Sequence, residues 1–218
     1  GDIDPVITAH GTKIAKLPSR LAFPFFAAVR DVAGGTKAPD WLEKLFSADP
    51  LYGDDNVALQ LPTFTGNHDF GRFAYHARKA FPETSDNEIL KRTELAHALM
   101  LTLRGAPVIY SGDEQGFAGD GVDQDSREDM FPSKTAVYND NKLVGTDSTT
   151  AVSNFDANHP LYKAFAKLAK LRQDQVALRR GKQVIRTYAE KPGLFAVSRI
   201  DAASGEEIVL VFNTSNAP

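Results

Sequence analysis

Phe64-Thr-Gly-Asn-His-Asp-Phe-Gly-Arg72 and Gly105-Ala-Pro-Val-Ile-Tyr-Ser-Gly-Asp-Glu-Gln-Gly116 decide how this chain of 218 residues is read. Each stretch reads as a short apolar strand that ends abruptly in polar, ionisable residues. The residues between them read as a helix. Strand, helix, strand within about fifty residues is the unit that builds parallel sheets. Neighbouring parallel strands put their polar ends on one face, and in a barrel of such units that face carries the chemistry. The expected geometry sets Asn67, His68 and Asp69 beside Asp113 and Glu114.

Working outward, residues 86 to 103 give the clearest helix. Ser85 and Glu88 have capping-box spacing. Ile89, Ala96, Leu99, Met100 and Leu103 form an apolar stripe near helical period. Gly105 stops the helix and Pro107 lies just beyond. Strands are expected at 57–65 and from Pro107 to Tyr110, and 20–26 is a compact apolar run. Pro24 and Pro62 count against central strands, because each removes a ladder donor. Residues 27–33 and 39–47 look helical, broken by Gly34-Gly35. Residues 115–158 show no sustained period and are expected to form a substrate-contacting loop on the site face. Helix returns over 160–179, with Leu161, Phe165, Leu168 and Ala169 on one stripe. After Gly181 three strands are expected, Val184 to Tyr188, Leu194 to Ile200 and Ile208 to Phe212, with Ala202-Ala-Ser-Gly205 as a hairpin loop.

Hydrophobic residues make up 42% of the chain and the net charge is -3. That balance gives no electrostatic case for nucleic acid or an anionic membrane as partner. No run approaches the roughly 18 apolar residues that span a bilayer. There are no cysteines, so disulfides and thiolate metal sites are excluded while the compartment stays open. Gly1-Asp-Ile-Asp-Pro5 lacks an initiator Met and a signal-peptide pattern, and Phe212 to Pro218 stops just after a strand-like run. Both ends suggest a piece of something longer.

Gly66-Asn-His-Asp69 suits a turn as well as a site. As a site, an imidazole and a carboxylate project together from a strand end, where they bind sugar hydroxyls or a metal. Metal-dependent phosphoesterases carry Gly-Asn-His-Asp/Glu. They also need an upstream Asp-x-His, an upstream Gly-Asp-x-x-Asp and a downstream Gly-His-x-His, and none of these occurs. His10, His76, His97 and His159 are scattered without ligand spacing. Asp113-Glu114 reads either as a structural ion pair with Arg104 or Arg127, or as acids that hold a substrate loop. Asp120, Asp123, Asp125, Glu128 and Asp129 read as a solvated loop without a calcium-loop pattern. Arg127 beside them either pairs with these acids or reaches the site. Phe70, Phe73, Tyr75, Tyr110, Phe117 and Phe131 cluster near the strand ends, most as core, with one or two free to stack on a sugar ring. His76 and His97 receive no role.

At these residues the chain resembles the α-amylase superfamily, glycoside hydrolase family thirteen. Phe64-Thr-Gly-Asn-His-Asp69 resembles the end of that family's seventh barrel strand, and Gly105 to Glu114 its eighth. Leu17-Pro-Ser-Arg-Leu-Ala-Phe-Pro-Phe25 resembles the sixth, and Asp2-Ile-Asp-Pro5 the stretch after the fifth. Gly121-Val-Asp-Gln-Asp-Ser-Arg-Glu-Asp-Met-Phe131 resembles a loop of bacterial members. The resemblance implies an α/β fold: the C-terminal part of a (β/α)8 TIM barrel, about strands six to eight, in residues 1–180, followed by the start of a small antiparallel β domain in 181–218.

It also implies roles. Asp69 matches the carboxylate that grips substrate hydroxyls and stabilises the transition state. His68 matches the histidine that binds the sugar at the cleavage site, with Asn67 and Arg72 as further substrate-binding residues. Asp113, Glu114 and Arg127 are structural or substrate-facing. The family's nucleophile and acid/base lie on earlier strands, before Gly1, and retaining hydrolysis needs two such groups about 5 Å apart. The implied substrate is an α-glucan or oligosaccharide, cleaved or transferred by a longer chain, with this portion inactive alone. No cofactor is required by these residues, although calcium is common in the family. A non-catalytic relative that binds carbohydrate or a protein is the alternative. Three strands of a closed barrel leave two open edges, so self-association is expected.

Overall fold

A computed structural model of the chain describes Val6, Ala9, residues 19–53 and residues 55–216. The Asp2–Pro5 resemblance, Leu17-Pro18 and His10 lie outside the described residues. Helix α1 (Phe23–Ala33) starts with Pro24 in its first turn and buries Phe25, Phe26, Val29 and Val32. Proline suits that position because the first helical N–H groups have no intrahelical partner. Helix α2 (Asp40–Ser47) buries Leu42, Leu45 and Phe46, an i, i+3, i+4 stripe. A short helix α3 (Asp55–Gln60) leads into strand β1 (Pro62–Thr63).

Helices α4 (Phe73–Ala80) and α5 (Asp86–Thr102) connect β1 to strand β2 (Ala106–Pro107). Ser85 caps α5: its Oγ accepts from Glu88 N, worth about 1 kcal/mol. The whole stripe of Ile89, Ala96, Leu99, Met100 and Leu103 is buried, as its spacing requires. After β2 the chain runs as irregular backbone with short 3-10 turns to helix α6 (Pro160–Asp174). On α6, Leu161 and Phe165 are buried, Leu168 packs half-buried and Ala169 is exposed.

Strands β1 and β2 pair in parallel, Pro62 with Ala106 and Thr63 with Pro107. Ala106 N donates to Leu61 O at 2.9 Å and Val108 N to Thr63 O at 2.8 Å. On the other side, Ala22 N donates to Pro62 O at 2.9 Å. Pro62 sits in this ladder because its carbonyl is used, so its missing N–H costs less than it would elsewhere. The segments around 22, 62 and 106 therefore lie side by side in the order expected of three successive barrel strands.

Three expectations need correction. Residues 57–60 are helical, and the strand is only two residues long. Within 20–26, the helix already begins at Phe23. The span between the two opening motifs holds two helices, broken around Phe81 to Ser85, where Pro82 interrupts the pattern.

Helix α7 (Val176–Arg180) leads to an antiparallel sheet of β3 (Lys182–Tyr188), β4 (Leu194–Ile200) and β5 (Glu207–Asn213), in that order. A register shift lies between Ile185 and Thr187. Phe195, Val197 and Phe212 join the same core as α1, α5 and α6. Buried Arg199 ties the sheet to the end of α5, and half-buried Arg172 ties α6 and α7 to the same end. Arg199 donates to Thr102 O at 2.8 Å and Gly181 O at 3.0 Å. Arg172 donates to Leu101 O at 3.0 Å, Leu178 O at 2.9 Å and Gly105 O at 2.6 Å. Cations are favourable there, because the last helical carbonyls are unpaired and carry the negative end of the helix dipole.

Candidate active site

The turn at the end of β1 is built by Asn67. Its Oδ1 accepts from Asp69 N and Phe70 N, both at 2.9 Å. Its backbone exchanges two hydrogen bonds with Gly71, at 3.1 and 3.0 Å. Gly71 has a φ of 80°, and a Cβ there would stand 2.4 Å from Gly121 O, so only glycine fits. The result is a closed loop that lifts His68 and Asp69 into solvent. Their side chains are 53% and 56% exposed, with His68 Nε2 3.3 Å from Asp69 Oδ1. An exposed carboxylate beside an imidazole, on a turn locked from below, offers acceptor and donor atoms to a polyhydroxylated ligand. Asn67 is half-buried and contributes through the turn, since its side-chain oxygen is already occupied.

Arg72 corrects its expected role. Its side chain is 1% exposed, with Nη1 2.8 Å from Asp113 Oδ1 and Nε 2.6 Å from Glu128 Oε2. Its guanidinium stacks over Tyr110 at 4.3 Å and Phe117 at 5.1 Å. A guanidinium held by two buried carboxylates and two rings does not reach a ligand; it fastens the rim. Burial disfavours its charge, but Asp113 and Glu128 outweigh that and hold its pKa above the usual value.

Asp113 is thus a structural partner, though of Arg72. Arg104 pairs instead with Asp49 at 2.5 Å, and Arg127 with Asp123 at 2.7 Å on the exposed loop. Asp113 Oδ2 also lies 3.4 Å from His97 Nε2. His97 is fully buried, stacked on Phe165 with ring centroids 4.1 Å apart. Its Nδ1 is 2.8 Å from Thr93 O, a carbonyl that only accepts, so Nδ1 carries the proton. Its Nε2 is 3.0 Å from Thr65 Oγ1. Thr65 with His97, and Asp113 with Arg72 and Glu128, therefore lie as two adjoining buried polar groups under the site, from two strand ends to a helix and a loop.

Glu114 is half-buried and accepts from Gly112 N at 3.0 Å. It lines an open pocket of about 410 Å³ with Ile109, Ser111, Tyr162 and Phe165. The acidic loop is only partly solvated: Asp123, Asp125 and Asp129 are exposed while Glu128 is buried. Sequence reasoning missed Glu128 and His97, because each draws its meaning from a partner distant in the chain. Among the described residues no group of three His, Asp or Glu side chains converges as a metal ion's ligands would.

Comparison with known proteins fits this geometry. The family profile described as "Alpha amylase, catalytic domain" matches residues 53–181. An α-amylase of Streptomyces lividans is 42% identical over 213 residues, covering 97% of this chain and 23% of its own length. A cyclomaltodextrin glucanotransferase of Bacillus sp. (strain 1-1) is 30% identical over 220 residues, covering 100% of this chain and 25% of its own length. The chain thus spans about a quarter of these relatives. A crystal structure of an Anoxybacillus α-amylase superposes with a TM-score of 0.74 at 20% identity, over 98% of this chain and 40% of that one. The α-amylase of Geobacillus thermoleovorans, complexed with acarbose, gives 0.72 at 21% identity over 98% and 40%. These neighbours are TIM-barrel enzymes, and the fold here is the matching C-terminal part of such a barrel, followed by a three-stranded antiparallel sheet. By its family profile and its fold together, the chain belongs to the α-amylase catalytic-domain family.

Proposed function

We propose that this chain is part of an α-glucan-acting, retaining glycoside hydrolase or transglycosylase, in which Asp69 stabilises the transition state and His68 binds the sugar at the cleavage site. One observation carries the reading. In a chain of this family, a strand-end turn holds an exposed carboxylate and an exposed imidazole 3.3 Å apart. Relatives named as α-amylase and as cyclomaltodextrin glucanotransferase support a reaction class covering both hydrolysis and transfer.

The chemistry follows from charge. As the glycosidic bond breaks, the sugar ring gains oxocarbenium character and its hydroxyls become better donors. Asp69 accepts from them, and those hydrogen bonds strengthen in the transition state, contributing several kcal/mol. His68 offers an imidazole N–H to a sugar oxygen and fixes the ring against Asp69. The reading gives no residue of this chain the role of nucleophile or of proton donor, and retaining hydrolysis needs both. The Asp69→Asn substitution in the longer enzyme tests the reading. It should lower kcat by roughly 10²-fold or more while KM moves only a few-fold. Near-normal turnover would refute the assignment and favour a sugar-binding relative without catalysis.

A further inference from the structure

We infer that Glu128 is a positioning residue, a latch that clamps the segment 119–131 onto Arg72 and thereby sets where His68 and Asp69 stand. The inference deepens the catalytic reading of Asp69 and rests on it for its kinetic arm. Glu128 sits among exposed acids, yet its own side chain is 1% exposed and its Oε2 lies 2.6 Å from Arg72 Nε. An acid leaves water for such a position only when a cation receives it.

The latch reaches the turn by three routes. Arg72 directly follows the 67–71 turn, so its side chain anchors the turn from the C-terminal end. Ser126, two residues before Glu128, sets its Oγ 3.0 Å from Asp123 O and 3.4 Å from His68 O, so its hydroxyl bridges the loop and the turn, while its own carbonyl accepts from Tyr110 OH at 2.9 Å. Gly121 O packs against Gly71 so closely that a Cβ would meet it at 2.4 Å. The segment 119–128 is therefore the back wall of the turn, and Arg72 with Glu128 is the bolt that holds the wall.

Glu128 is held at one oxygen only: Oε2 faces Arg72, whereas Oε1 has no hydrogen-bond partner among the described residues. Removing Glu128 should release the loop before it disturbs the β1–β2 pairing. Preorganisation of this kind acts before any ligand arrives, because groups held in place need no reordering when charge develops.

The test uses the longer enzyme with Glu128→Ala, Glu128→Gln and Ser126→Ala. Hydrogen exchange is read at 119–131 and at 66–71, with kcat and KM on a soluble maltooligosaccharide. Glu128→Ala should raise exchange in both segments about tenfold and lower kcat per folded molecule about tenfold, with KM little changed. Glu128→Gln, which keeps an acceptor for Arg72, should restore most of the protection. Ser126→Ala leaves the buried charges intact and removes the hydroxyl between Asp123 O and His68 O, so it should raise exchange in both segments, and a failure of Glu128→Ala to fold does not remove the test. Exchange that rises in 119–131 but not in 66–71 would overturn the latch, as would a lower melting temperature with kcat per folded molecule unchanged. If Asp69→Asn keeps its turnover, the catalytic reading fails separately and the exchange measurement alone decides the latch.

Discussion

Asn67 and Gly71 exchange both of their backbone hydrogen bonds, at 3.1 and 3.0 Å, and so close the turn that carries His68 and Asp69. The closure depends on Gly71, whose φ of 80° is one that side-chain-bearing residues rarely adopt. Gly71→Ala adds a Cβ 2.4 Å from Gly121 O as well as the backbone strain. The expected loss is about 2–4 kcal/mol, from the strained φ and overpacking together. Urea denaturation measures it, and a midpoint within error of the parent would show that the turn opens freely.

Much of this architecture was legible in the chain. Helix α5 was readable because its cap, its stripe and its stop agree, and β3 to β5 were readable because turn residues bound each apolar run. The strands β1 and β2 were not readable at their true length. A short buried apolar run has no period that separates strand from helix, so Val57-Ala-Leu-Gln60 looked extended. Pro24 counts against a strand in 20–26, and the structure agrees: the ring that spoils a strand is well placed in the first turn of a helix. At the site, His68 and Asp69 were visible as exposed chemistry at a strand end. Arg72 was named for the wrong work, since its meaning comes from Glu128, 56 residues away.

Two histidines predict the acid side of the stability profile. Burial pushes His76 below the usual histidine range, despite the hydrogen bond to Phe70 O, and burial does the same for His159. His159 Nδ1 accepts from Leu161 N and caps α6, a role open only to the neutral ring. Both groups are neutral in the folded and unfolded chains above about pH 6.5. Below that, the unfolded chain takes up protons first, so stability falls as pH drops toward the lower folded values. His159→Asn keeps a capping acceptor and removes one titration. Chemical denaturation at pH 8 and pH 5.5 should show a smaller acid loss for His159→Asn than for the parent, and an equal loss would clear His159 of the effect.

Arg199 joins the β sheet to the end of α5 without a carboxylate partner among the described residues. Burial, with Arg172 and Arg104 nearby, pushes its pKa down to about 9. Its planar fork serves Thr102 O and Gly181 O together, which a lysine point charge does not reproduce. Arg199→Lys should cost on the order of 2–4 kcal/mol, because a buried carbonyl loses its donor while the charge stays buried. Unfolding followed by sheet and helix signals should shift in both together. An unchanged midpoint would mean that the sheet and α5 are held by apolar contacts alone.

The remaining expectation concerns the edges of the partial barrel. The edge of β2 away from β1 pairs with no strand among the described residues. Val108 and Ile109, which continue from it, are 46% and 39% exposed, and Leu21 beside the 22–62 contact is 45% exposed. Unpaired N–H and C=O groups beside exposed apolar side chains form a template for a second copy. The 218-residue chain should therefore self-associate at micromolar concentration, and sedimentation velocity should show species heavier than a monomer. Val108→Lys with Ile109→Lys puts charge on that edge and should shift the distribution toward monomer, the effect that lysine has on natural edge strands. A sharp monomer with cooperative thermal unfolding, seen without these substitutions, would mean that the three strand segments close their own edges.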